Sequence, residues 1–175
     1  MKYAKEILTG NQLAGSRLIR LLEERDSRGI EELKALYPHT GQALVLGITG
    51  PPGVGKSTIL DRLIAEFRKR QKKVGIVAID PSSPISGGAI LGDRLRMGRH
   101  AGDTGVFVRS MATRGHPGGL SRSTKETFLV LDAMGFEIIF VETVGAGQDE
   151  VDVRNLVHTT AVVSIPGMGD ELQAM

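Results

Sequence analysis

The chain has 175 residues, enough for one α/β domain with a real core, and its 41% apolar and 24% charged residues are an ordinary globular mixture. With 22 basic residues against 20 acidic ones the net charge is +2, which gives no reason to expect a nucleic-acid partner, and the lack of cysteine excludes disulfides, thiolate catalysis and thiolate metal sites. No run approaches the ~20 apolar residues of a membrane span and the N-terminus lacks the apolar core of a signal peptide, so a cytoplasmic protein with no membrane partner is expected.

Residues 11 to 36 carry apolar side chains at helical spacing (Leu13, Leu18, Leu21, Leu22, then Ile30, Leu33, Leu36), interrupted at Asp26-Ser27-Arg28-Gly29. This predicts a helical hairpin with Asp26 or Ser27 capping its second helix, within an N-terminal segment spanning 1–40. From residue 41 the pattern changes to alternating strands and helices, the mark of a parallel sheet with helical crossovers. Strands are expected at 43–49, 74–79, 105–109, 137–142 and 160–165, and helices at about 56–70, 93–101, 122–134 and 149–158.

Between the first strand and its helix stands Gly50-Pro51-Pro52-Gly53-Val54-Gly55-Lys56-Ser57, followed by Thr58. The spacing is that of a phosphate-binding P-loop. Glycines 50, 53 and 55 free the backbone to turn successive N–H groups toward an anion, and the following helix adds the partial positive charge of its N-terminus. Lys56 is placed for the β- and γ-phosphates and the Ser57 hydroxyl for Mg²⁺. Ile59, Leu60, Leu63, Ile64 and Phe67 form the expected inward stripe of the helix. The basic run Arg68 to Lys73 falls at its C-terminal end, where cations complement the helix dipole.

Ligands in such sheets gather where strands end. Asp80 ends the second strand, and it reads either as a Mg²⁺ contact or as the start of an Asp-Pro turn. Asp93 follows a glycine-rich loop and is either a helix cap or the carboxylate of a nucleotide-sensing loop. Glu142 ends the fourth strand in the Walker B manner, with Gly145 allowing close backbone approach to the γ-phosphate. His39, His100, His116 and His158 lack metal-ligand spacing.

Taken together, Gly47 to Thr58, Asp80-Pro81-Ser82-Ser83-Pro84, Ser86 to Asp93, Glu142-Thr143-Val144-Gly145 with Gly147-Gln148, and Gly169 to Gln173 resemble the MeaB/ArgK family of P-loop GTPases. These are G-protein chaperones of cobalamin-dependent acyl-CoA mutases, also described as lysine/arginine/ornithine transport ATPases or kinases. The resemblance covers about residue 40 onward and implies a three-layer αβα sandwich with a mostly parallel sheet, preceded by a short helical segment. It further implies GTP and GDP as ligands, Lys56, Asp93 and Glu142 as catalytic residues, and Ser57, Asp80, Asp93 and Glu142 around Mg²⁺. A methylmalonyl-CoA mutase type of partner and a homodimer are implied as well.

The base-reading Asn-Lys-x-Asp pattern does not occur; Thr124-Lys125-Glu126-Thr127 lacks the aspartate and falls inside a helix. A GTPase domain over 41–175 that is incomplete at its C-terminus is therefore expected. An ATP-dependent kinase or ATPase of amino-acid transport is the alternative. A nickel-insertion type of metallochaperone is disfavoured by the absent cysteines, and a fragment that binds without turnover is the plainest possibility.

Overall fold

A computed structural model describes residues 2–80, 100, 102–112, 119–143 and 155–166, with the backbone alone at 80, 112, 119–121 and 143. Three helices come first: α1 (Tyr3–Leu8), α2 (Gln12–Glu23) and α3 (Ser27–Leu36). α2 begins where the Asn11 side chain accepts from the Leu13 and Ala14 N–H groups, and α3 where Asp26 accepts from the Arg28 N–H. The break between them thus lies where the sequence places it.

α1 has no counterpart in the sequence reading. Six residues are too few to show a helical stripe, and the helix is held from a distance. The Glu32 carboxylate of α3 accepts from the Lys2 N–H at 2.7 Å and the Ala4 N–H at 2.8 Å, satisfying donors at the start of another helix. Burial pushes the Glu32 carboxyl upward, but the backbone donors of Ala4, Lys2 and Tyr3 outweigh it and leave the pKa below the ordinary value.

The sheet consists of β1 (Leu44–Thr49), β2 (Val74–Asp80), β3 (Val106–Ala112), β4 (Ile138–Thr143) and β5 (Thr159–Val162). All pairs are parallel, in the spatial order β3-β2-β4-β1-β5. The crossovers include α4 (Lys56–Lys69) and α5 (Gly119–Ala133). Side chains of successive strand residues alternate between two cores. Val45, Val77, Ile79, Phe107, Met111, Ile139 and Val141 join α1, α2, α3 and α5 on one face. Ile48, Val74, Ile76, Val106, Ile138 and Phe140 meet Leu60 and Ile64 of α4 on the other.

Two expectations need correction. Ile59 is 41% exposed, so the inward stripe of α4 is Leu60 and Ile64 flanked by Leu63 and Phe67. α4 covers the sheet from one side only, and Ile59 lies about 100° round the helix from Leu60. The helix expected at 149–158 is not present over 155–158, where turns and bends lead into β5; its first part lies outside the described residues, as does 93–99 of the expected helix 93–101. Elsewhere β3 runs three residues further than expected, to Ala112, and β5 ends three residues sooner, at Val162.

Before β1, three consecutive N–H groups, of Gly41, Gln42 and Ala43, donate to the Asp132 carboxylate on α5 at 2.5, 3.2 and 3.1 Å. This seat joins the helical segment to the sheet. The basic run at the C-terminal end of α4 is matched by carboxylates: Lys69 pairs with Glu66, Lys72 with Glu137 and Arg68 with Asp103. Among the described residues, no helix is long and apolar enough to cross a membrane.

Candidate functional site

The strand ends bring three loops together. β1 runs into the P-loop, Asp80 closes β2 and Glu142 stands one residue before the end of β4. In register, Glu142 pairs with Ile48 of β1 on one side and Ala78 of β2 on the other. The P-loop therefore begins two residues beyond one partner, and Asp80 lies two residues beyond the other.

Backbone geometry through the loop explains its glycines. Gly53 and Gly55 have φ of 82° and 94°, a left-handed conformation that penalises a Cβ, although a Cβ there would meet nothing within 4 Å. Gly50 is different. Its φ is 138° and a Cβ would lie 2.1 Å from the Val163 carbonyl oxygen, so the chain leaving β5 presses directly on the first residue of the loop. The Val163 N–H donates to Thr49 O at 2.8 Å and holds that approach.

Lys56 opens α4 and is only 8% exposed. Its Nζ donates to Gly50 O at 2.6 Å and Pro51 O at 3.0 Å, two carbonyls of the loop itself. An ammonium has three donors, so these contacts aim the group across the loop while one N–H stays open among the described residues. Pro51, Pro52 and Val54 shape the loop between the glycines, with Val54 buried.

The Ser57 hydroxyl donates to Glu142 Oε1 at 2.7 Å, a hydrogen bond between residues 85 positions apart. Strand alternation accounts for the meeting. Glu142 follows Ile138 and Phe140 on the face that packs against α4, and Ser57 lies in the first turn of that helix. Glu142 is 3% exposed. A serine hydroxyl beside a buried carboxylate is an all-oxygen donor pair, the kind that suits a hard divalent cation such as Mg²⁺. Among the described residues, no three His, Asp or Glu side chains cluster as a metal site.

Of the sequence-derived candidates, the structure brings together Gly50, Pro51, Pro52, Gly53, Val54, Gly55, Lys56, Ser57, Thr58 and Glu142. It places the backbone of Asp80 beside them. Asp93 and Gly145 lie outside the described residues, as does the 169–173 stretch. The sequence reading missed the pressure of Val163 on Gly50, which no local motif signals.

A family model described as methylmalonyl-CoA mutase-associated GTPase MeaB matches residues 15–175. The chain belongs to the MeaB family. A relative from Pyrococcus abyssi, named as a GTPase, is 54% identical over 166 residues, covering 95% of this chain and 51% of that protein. The GTPase ArgK of Escherichia coli is 37% identical over 175 residues, 98% of this chain and 53% of that one. A crystal structure of an LAO/AO transport system kinase matches with a TM-score of 0.73 and 28% identity, over 93% of this chain and 48% of that one. The chain thus spans about half the length of the relatives it matches, in a family whose members are named as GTP-hydrolysing proteins. The shared fold is the P-loop sandwich with its short N-terminal helices.

Proposed function

We propose that this chain binds GTP and GDP with Mg²⁺ and forms the nucleotide-handling part of a GTPase that assists a cobalamin-dependent acyl-CoA mutase of the methylmalonyl-CoA mutase type. The observation that carries the nucleotide half is the hydrogen bond of Ser57 to the buried Glu142 carboxylate, beside a lysine already aimed across the P-loop. The family description supports the mutase half.

In this reading Lys56 and the loop amides bind the β- and γ-phosphates, and Ser57 with Glu142, Asp80 and Asp93 hold the metal and its waters. Bound Mg²⁺ would supply neutralisation of the charge on the phosphoryl oxygens. Glu142, reaching from a strand buried on both sides, orients a water toward the γ-phosphate together with Asp93. Catalysis is then mostly positioning and electrostatics. Segments at Asp93, Gly145 and Asp170 report the nucleotide to the mutase, and the family's members act as homodimers in this reading.

Titrating the protein with GDP and ADP in parallel tests the first half. Binding of GDP is expected, and Lys56→Ala should weaken it by roughly 10²-fold through loss of a charge-assisted contact. A chain that binds neither nucleotide would remove support for this reading. Nucleotide-dependent association with a purified mutase, followed by sedimentation, tests the second half. The likeness to an LAO/AO transport system kinase favours a second reading, transfer of phosphate to an acceptor. Release of inorganic phosphate to water without any labelled acceptor would decide against it.

A further inference from the structure

The β5 edge of the sheet carries a titratable contact that the phosphate site does not use. Regular pairing of β1 with β5 starts at Leu46 and Thr159, so Val45 lies one residue outside the ladder. There the two segments are joined twice through one residue. The His158 N–H donates to Val45 O at 2.9 Å, and the Val45 N–H donates to His158 Nδ1 at 2.9 Å. The imidazole thus supplies the acceptor that a longer ladder would have offered, at a strand residue that is only 6% exposed.

An imidazole nitrogen that accepts a hydrogen bond carries no hydrogen, so Nδ1 is bare and the hydrogen sits on Nε2. The contact therefore exists only for the neutral ring. A second proton would go to Nδ1, set an N–H against the Val45 N–H and remove the acceptor. Histidine is the side chain whose charge ordinarily changes between pH 5 and 8, and His158 is exposed, so water can deliver that proton without opening the core.

Among the described residues His158 makes no ion pair, and the acidic groups on the elements around β1 are engaged elsewhere. Glu137, just before β4, bonds Lys72 and the Lys73 N–H; Asp132 of α5 takes the N–H groups of Gly41, Gln42 and Ala43. On α4, Asp61 lies against His100 and Glu66 against Lys69. Protonation of His158 thus breaks one contact and gains no ion pair from these groups. β5 has little with which to absorb the loss, since it pairs with β1 over four register positions and its Val162 is 71% exposed.

We propose that His158 is a pH-sensitive pin of the sheet edge: neutral, it fastens the start of β5 to β1 through the Val45 N–H, and protonated, it releases that end of the strand. The pin is present on the alkaline side and is lost as pH falls through the range in which imidazoles take up their proton. The strand it fastens is the one whose exit lies against Gly50 of the P-loop. The inference stands apart from the GTPase reading, because each contact in it joins β1 to the start of β5.

Amide hydrogen exchange followed by NMR on the full chain, at about pH 7.5 and about pH 5, tests it. Each rate is divided by the intrinsic rate of an unstructured amide at that pH, and Ile139, opposite Val45 on β4, serves as the reference. From the higher pH to the lower, protection of the Val45 amide is expected to fall about three- to tenfold more than that of Ile139, the size of one net hydrogen bond. In His158→Ala it should be low at both pH values. His158→Asn puts an uncharged oxygen as many bonds from the backbone as Nδ1 and should keep Val45 protected at both. Nitrogen-15 spectra of the wild-type ring at the higher pH should show the hydrogen on Nε2. Equal changes at Val45 and Ile139, a Val45 pH dependence that survives in either variant, or a neutral ring with its hydrogen on Nδ1 would each overturn the proposal. If His158→Ala does not fold, the asparagine variant and the ring spectrum decide it.

Discussion

At one edge of the sheet β3 pairs with β2 over seven register positions, while at the other β5 pairs with β1 over four. β3 buries Val106, Phe107 and Met111, and it is fastened from outside by helices. Arg109 donates to Glu23 at the end of α2 at 2.6 Å, and Gln12 at the start of α2 donates to Thr104 O at 2.7 Å. α2 is therefore tied at its end to β3 and at its start to the turn that leads into that strand. β5 has little such cover among the described residues: Val162 is 71% exposed and Ile165 44%. It is placed by backbone bonds, by the Val45 N–H donating to His158 Nδ1 at 2.9 Å, and by Val163 at Thr49. Burying a large apolar side chain contributes about 1.5–3 kcal/mol, and a typical hydrogen bond about 0.5–1.5 kcal/mol net. The β3 edge is accordingly held by burial, and the β5 edge by hydrogen bonds that set the position of its exit against the P-loop.

The widest gap between the two edges should appear on truncation. Phe107→Ala is expected to cost about 3–5 kcal/mol in denaturant unfolding, and Val162→Ala to stay within about 0.5 kcal/mol. Comparable losses would mean that β5 is packed as firmly as β3. A smaller effect, confined to the β5 side, is expected from Gly50→Ala, where the new Cβ meets the Val163 carbonyl. Forcing that contact apart should cost about 1–3 kcal/mol and expose the Val163 amide to hydrogen exchange. Unchanged protection at Val163 would show that the contact does not position the exit of β5.

The smallest expected effect concerns the helices that cover the β3 side. Because the folded pKa of Glu32 is depressed, its contribution is fully present above the ordinary range of a glutamate carboxyl and is lost as pH falls through the lowered folded value. Glu32→Gln should flatten the acid side of the melting-temperature profile between pH ~6 and ~3. An identical slope in the variant would place the acid sensitivity of that layer elsewhere.

Much of the candidate site could be read in the chain because its parts are local. The P-loop is eight consecutive residues, and Glu142 announces itself by ending an apolar run. The Asp26 cap and the change from helical spacing to alternating strands were similarly legible. α1 was not, since what holds it is a carboxylate 28 positions away from Ala4. Ile59 was misjudged because spacing marks a helical face without saying how wide an arc its neighbours cover. The residues 155–158 turn away from helix because His158 is drawn to β1, whose backbone it bonds both through its N–H and through its imidazole.

By itself the sequence determined the phosphate loop, the succession of strands and helices, and the carboxylate at the end of β4, since each depends on residue type and spacing over a few positions. Only the tertiary structure decided the order β3-β2-β4-β1-β5, which face of β4 meets α4, and hence that Ser57 and Glu142 touch. The same holds for Asp61 with His100 and for Val163 against Gly50. Those meetings depend on register and on which layers share a core, and such choices are made by the packing of the whole chain.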